Sequence, residues 1–209
     1  MVKMKVGAIT IGQSPRADVV QELLPLMGEQ VELIQAGALD GLTREDIQAF
    51  APGPEDYTLI SRLRDGSSVM FAERHILPQL QQCIDRLEEQ GVNLILFLCT
   101  GDFPAVFHSK VPLIFPCKVL NGLVSALSNR GKIAVVVPTP QHVEQTEKKW
   151  NQYVKESIVI PASPETNCQG LFHQIHKKSK KGVRSTVGLL TPRLIDYIFP
   201  FSRSLQRYA

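Results

Sequence analysis

The chain has 209 residues, of which 44% are hydrophobic and 21% charged, with a formal net charge of +3. That balance excludes global disorder and fits a globular protein with one substantial core or two small lobes. Residues 177–209 hold eight Lys or Arg against Asp196 alone, so the tail carries +7 and leaves −4 for residues 1–176; a short KKSKKGVR cluster without interleaved aromatics is not a nucleic-acid surface, and no nucleic-acid partner is expected.

The opening MVKMKVGAIT has no long apolar stretch with a small-residue cleavage site, and the longest apolar run, Leu94–Cys99, is strand-sized. No membrane association and a cytoplasmic location are expected. Lys5-Val-Gly-Ala-Ile-Thr-Ile11 is apolar and β-branched and reads as a buried first strand. GQSPRADVV then opens a helix, with Ser14 as N-cap, Pro15 at the first helical position and Asp18 in the first turn. Val31–Ala36 reads as a second strand, and Thr43-Arg-Glu-Asp46 carries the pattern that starts a short helix. Beyond the break APGPED, residues 57–63 and 68–72 flank Arg64-Asp65-Gly66 and read as an antiparallel hairpin.

From Glu73 to Gln90, apolar residues recur at Ile76, Leu77, Leu80, Cys83, Ile84 and Leu87, the spacing of an amphipathic helix with Cys83 facing the core. Val92–Leu98 is apolar throughout, as in a parallel strand covered on both faces. VPLIFP reads as a short strand, Leu120–Leu127 as a helix and Lys132–Val137 as a strand. PTPQHVEQTEKKW reads as a helix capped by Thr139, Ser157–Ile160 as a strand, and Ser163-Pro164-Glu165 as the start of a helix carrying Leu171, Phe172 and Ile175. The alternation of strand and helix implies an α/β fold of two units, residues 1–113 with an inserted hairpin and residues 114–209 with an atypical tail from about 184.

Neither unit contains a GxGxxG or a GxxxxGK[ST] pattern, so no nucleotide cofactor is expected. The four cysteines, Cys83, Cys99, Cys117 and Cys168, show no CxxC spacing and read as free thiols. His173 and His176 read as surface residues rather than as ligands lacking a third partner, and no metal is expected.

In parallel sheets ligands bind beyond the carboxyl ends of the strands. Three segments emerge there: Gly12–Arg16, Cys99-Thr100-Gly101 and Pro138-Thr139-Pro140. Cys99 has two readings: a buried filler that finishes a strand, or a reactive thiol beside the hydroxyl of Thr100 and the amide of Gly101. Arg16 is either a solvated charge or an anion ligand. The second accounts better for a cation at the positive end of a helix dipole. Thr139 is a helix cap or a ligand group.

ITIGQSPRADV, LFLCTGDFP, VPLIFP and VVVPTPQHVEQTEKKW together resemble the AroM family, over about residues 4–183. That family is placed in the aspartate/glutamate/hydantoin racemase superfamily. The resemblance implies two pseudo-symmetric lobes, each a parallel sheet flanked by helices, with a cleft between them and homo-oligomerisation left open. It also implies cofactor-independent, cysteine-dependent chemistry like that of amino-acid racemases or isomerases on a small carboxylate, with Cys99-Thr100 at the first catalytic position; placement beyond the strand ends then puts Ser14, Arg16, Thr100, Gly101 and Thr139 around the anion.

Racemase relatives bring one cysteine from each lobe to opposite faces of the substrate's α-carbon. Family members carry the second cysteine in an Asp-Cys-Met/Ile-Gly type motif just after a Lys-rich, Gly-Val stretch. This chain reaches Lys180-Lys181-Gly182-Val183 and has no cysteine after Cys168, so the second half-site is missing and impaired turnover is expected. Suitable synonymous codons for Arg184–Leu190, read one base later, encode Asp-Leu-Leu-Leu-Asp-Cys, which points to a frameshifted end. A non-catalytic protein that binds a small carboxylate is the alternative.

Overall fold

The structure, a computed structural model, describes residues 3–99, 101–127, 132–137 and 140–161. It is a mixed α/β protein that divides into two compact units, Met1–Val119 and Leu120–Ala209. The expected helix at Ser163–Ile175, Cys168 and the tail from 184 lie outside the described residues.

The first unit is built on a four-stranded parallel sheet of β1 (Met4–Thr10), β2 (Val31–Gly37), β5 (Leu94–Phe97) and β6 (Leu113–Ile114), in the spatial order β2-β1-β5-β6. Side-chain direction alternates along a strand, and here both faces are apolar. Ile9, Ile34, Ile95 and Phe97 pack under α3 (Glu73–Glu89), where they meet Ile76, Leu80, Cys83, Ile84 and Leu87. Ala8, Leu33, Leu96 and Leu98 face the other way, against Val19, Val20 and Leu23 of α1 (Ala17–Met27). Strands covered on both faces lose the polar alternation of a half-exposed sheet, which is why β1 and β5 read as unbroken apolar runs. Gly7 lets α3 approach: a Cβ there would stand 2.9 Å from Leu87 Cδ1.

Between β2 and α3 come α2 (Arg44–Gln48) and an antiparallel hairpin, β3 (Thr58–Arg62) with β4 (Ser68–Ala72), as expected. The capping box on α2 also forms: Thr43 Oγ1 accepts from the Asp46 amide at 3.2 Å, and Asp46 Oδ2 accepts from the Thr43 amide at 2.9 Å. β4 runs into α3 without an intervening residue.

Three helix starts differ from expectation, those of α1, of the helix expected from Leu120 and of the helix that Thr139 was expected to cap. α1 begins at Ala17 with Arg16 as its N-cap residue, not Ser14, because Ser14 is engaged elsewhere. The helix expected from Leu120 begins at Pro116, as α4 (Pro116–Leu127): the proline that ends VPLIFP takes the first helical position, where its missing N–H costs nothing.

The second unit pairs β7 (Lys132–Val137) in parallel with β8 (Glu156–Pro161) through α5 (His142–Trp150). Ile133, Val135, Val137, Val159, Val124, Trp150 and Val154 form its core. The N-cap of α5 is Gln141, so the helix starts after the position where Thr139 was expected to cap it. Among the described residues no helix is long and apolar enough to cross a membrane.

Candidate functional site

The chain leaves β1 toward β2 on one side of the sheet and returns to β5 on the other, so the order reverses between β1 and β5. At such a switch point the loops beyond adjacent strand ends diverge and open a crevice. Here the two ends are joined by the Leu98 amide donating to the Ile9 carbonyl at 2.7 Å. Cys99 follows at once on the β5 side, and Gly12 lies on the β1 side.

Cys99 is partly buried and packs against the core on the α3 face of the sheet. Its Sγ accepts a hydrogen bond from the Gly101 amide at 3.2 Å. Cys83 and Cys117 are buried, and burial raises the Cys83 thiol pKa. Among the described residues Cys99 is therefore the thiol that solvent reaches.

Alternation along the hairpin carries its inner face across both strand ends. Leu59 and Ser61 are buried, and Tyr57 precedes them with the same parity. Gly12 sits tightly under Ser61: a Cβ there would fall 2.2 Å from Ser61 Oγ and 3.0 Å from the Arg62 carbonyl. A Cβ on Gly101 would stand 3.2 Å from Leu59 Cδ2 and 3.2 Å from Phe103 Cζ. At the Cys99 end stands Tyr57, whose hydroxyl is pushed up to about 12 by burial and by the charges of Asp102, Cys99 and Glu73, against a hydrogen bond from the Asp102 backbone.

Glu73, the first residue of α3, completes this group, and its amide donates to the Tyr57 carbonyl at 2.9 Å. A carboxylate at a helix N-terminus is ordinarily favoured. Burial and the neighbouring Asp102 charge outweigh that here and raise its pKa from 4.5 to about 7. Glu73 Oε1 is buried with no hydrogen-bond partner among the described residues. Behind the site lie Phe97, Phe103, Phe107 and Phe115, with Phe97 and Phe115 stacked at 4.5 Å.

The structure therefore brings Cys99 and Gly101 together, and engages Ser14 and Arg16 separately, each with its own carboxylate partner. Ser14 donates to Asp40 through its amide at 2.9 Å and its hydroxyl at 2.5 Å, and Asp40 also accepts from the Gly37 amide. Arg64, from the hairpin turn, donates to the Ser14 carbonyl at 2.6 Å and to Asp40 at 2.8 Å. Arg16 forms a two-pronged pair with Asp18, both bonds 2.8 Å. The anion beside Arg16 in this structure is thus a carboxylate of the chain itself. Thr100 and Thr139 lie outside the described residues.

Tyr57, Glu73 and Asp102 are the site residues that sequence reading passed over. Tyr57 and Glu73 lie 42 and 26 positions before Cys99, and only the direct β4–α3 junction hints that a hairpin end and a helix start share one place. Among the described residues no group of three or more His, Cys, Asp or Glu could hold a metal ion.

One family model, described as AroM protein, matches residues 6–185. No curated protein matches the chain.

Proposed function

This chain belongs to the AroM family, and on that premise we propose that it performs cofactor-independent acid/base chemistry on a small carboxylate in the manner of the racemase superfamily, with Cys99 as the working thiol. The observation that supports this most directly is Cys99 itself: a partly buried sulfur at the switch point of a parallel sheet, with an amide donor 3.2 Å away. Amide donors favour negative charge on an acceptor sulfur, and the thiolate is the reactive form. The reading includes two pseudo-symmetric lobes facing across a cleft, a cytoplasmic setting, and a ligand carboxylate held near Thr100 and Gly101. In this reading Ser14, Arg16 and Thr139 are the further ligand groups, and Ser14 and Arg16 would exchange their Asp40 and Asp18 partners for the ligand.

In this chemistry the thiolate removes the α-proton. The C–H bond breaks, an S–H bond forms, and the electron pair delocalises into the ligand's carboxylate. Inversion requires a second donor on the opposite face. With no cysteine after Cys168, this chain returns the proton to the face it left. Exchange with solvent then proceeds with retention of configuration.

A second reading, a binding protein without turnover, is favoured by one observation: of the three described thiols, two are buried and only Cys99 is at the site. One experiment separates the two. The full chain is incubated in deuterium oxide with small 2-amino and 2-hydroxy acids, and α-proton loss is followed by NMR. Washout that disappears in Cys99→Ser supports the enzyme; saturable thermal stabilisation without washout supports the binder. Washout of undiminished rate in Cys99→Ser removes the thiol from the mechanism.

A further inference from the structure

We propose that the β3–β4 hairpin is a lid over the crevice at Cys99: two arginine ion pairs at its turn hold it shut, and the unpartnered Ser61 hydroxyl beneath it favours opening. The proposal rests on the site reading above only in taking that crevice as the place a ligand must reach.

The hairpin covers the crevice without joining the sheet below it. β3 and β4 form a two-stranded sheet of their own, and among the described residues no backbone hydrogen bond ties residues 59–71 to β1 or β5. What holds the inner face down is therefore side-chain contact. Leu59 Cδ2 and Cys99 Sγ stand 3.2 and 3.4 Å from the point where a Cβ on Gly101 would lie, so the hairpin closes directly over the thiol. Ser61, next on the same face, closes over Gly12.

The inner face changes character from base to turn. Toward the base Leu59 pairs with Phe71, and both side chains are buried in the core. Toward the turn Ser61 takes the next inward position, 8% exposed, and its Oγ has no hydrogen-bond partner among the described residues. A buried hydroxyl without a partner costs free energy that water returns on opening.

The turn itself is held from outside by exposed pairs. Arg44 donates to Asp65 at 2.8 Å. Arg64 donates to Asp40 at 2.8 Å and to the Ser14 carbonyl at 2.6 Å, and its amide donates to Gln13 Oε1 at 3.0 Å. Exposed ion pairs each contribute little and are screened by salt. Breakable outer bonds over a hydroxyl that gains on release give the balance of an element that opens locally. Because Arg64 closes on Gln13, Ser14 and Asp40, lifting the turn uncovers the β1 side of the crevice.

The test is the rate of Cys99 alkylation by N-ethylmaleimide in the full chain, read by peptide mass spectrometry, with buried Cys83 as the internal gauge of unfolding. Where opening is fast, labelling tracks the open population. Arg64→Met should raise the Cys99 rate about two- to fivefold, the scale of an exposed ion pair. Ser61→Ala, which removes the unpartnered hydroxyl and little else, should lower it about fivefold, the scale of a buried unpaired hydroxyl. In the parent chain the rate should rise between low salt and about 1 M sodium chloride, and the rise should vanish in Arg44→Met/Arg64→Met.

A Ser61→Ala rate equal to or above the parent's, an Arg64→Met rate no higher than the parent's, or a Cys83 rate that climbs in step with that of Cys99 overturns the proposal. If Arg64→Met fails to fold, the salt series on the parent chain decides, and a Cys99 rate indifferent to salt overturns it. Lid behaviour without α-proton washout leaves the proposal standing and removes the catalytic reading. Washout with Cys99 labelling unmoved by either variant does the reverse.

Discussion

The Gly101 amide points at Cys99 Sγ from 3.2 Å, and the space where a side chain on Gly101 would grow is already filled by Leu59 and Phe103 at 3.2 Å. Backbone and sulfur are held together by packing from the hairpin on one side and the aromatic cluster on the other. Gly101→Ala should therefore cost about 1 kcal/mol of stability through overpacking. By shifting the amide, it should also slow alkylation of Cys99. Urea unfolding and peptide-level mass spectrometry after iodoacetamide labelling measure the two effects. An unchanged labelling rate would mean that the amide does not govern the thiol.

The contact between Gly12 and the hairpin leaves even less room, 2.2 Å to Ser61 Oγ. Gly12→Ala is expected to destabilise by about 1–3 kcal/mol, because an intruding methyl must displace backbone as well as a hydroxyl. Adding Ser61→Gly should recover part of the loss in the same unfolding measurement.

Asp40 accepts from two amides, the Ser14 hydroxyl and Arg64, and so ties the β1 loop, the β2 loop and the hairpin turn together. Asp40→Ala strands those donors and should cost about 2–4 kcal/mol. Asp40→Asn, which keeps an acceptor oxygen, should cost less. Equal stability of Asp40→Ala and the parent chain in urea would show that water replaces the network without penalty.

Glu73 gives the protein a pH signature of defined sign. Its folded pKa is about 7, against an ordinary 4.5, so between these values the folded state binds more protons than the unfolded state. Its contribution to stability is therefore full below about pH 4.5, declines as pH rises toward 7, and stays lost above that. Partial exposure screens the penalty to on the order of 1 kcal/mol. Glu73→Gln should be the more stable protein at pH 8, with the gap closing by pH 4.5. Thermal melts across that range test the sign.

Much of the first unit was legible because burial on both faces writes itself as continuous apolar sequence, seen in β1 and β5. The helical spacing of Ile76, Leu80, Cys83, Ile84 and Leu87 was equally direct. The capping box at Thr43 and Asp46 involves residues three apart and was readable for the same reason. Ser14 was misread as a helix cap because its actual partner, Asp40, is 26 residues away. The same limit hid the site: Cys99 stood out at the end of its strand, whereas Tyr57 and Glu73 reach it only through the hairpin's placement over the sheet. A glutamate in a first helical turn looks ordinary in sequence. Its unpartnered oxygen is a property of tertiary burial.

The absence of any residue between β4 and α3 has a mechanical consequence. Ala72 is pinned by its amide to the Phe50 carbonyl, and Glu73 by its amide to that of Tyr57. The ribbon over the strand ends and the 17-residue helix behind them thus form one lever with no slack at its elbow. A ligand that displaces Tyr57 would move the ribbon and the start of the helix together, so occupancy should register in hydrogen exchange along Thr58–Arg62. Two glycines inserted after Ala72 should silence that response while leaving the sheet assembled.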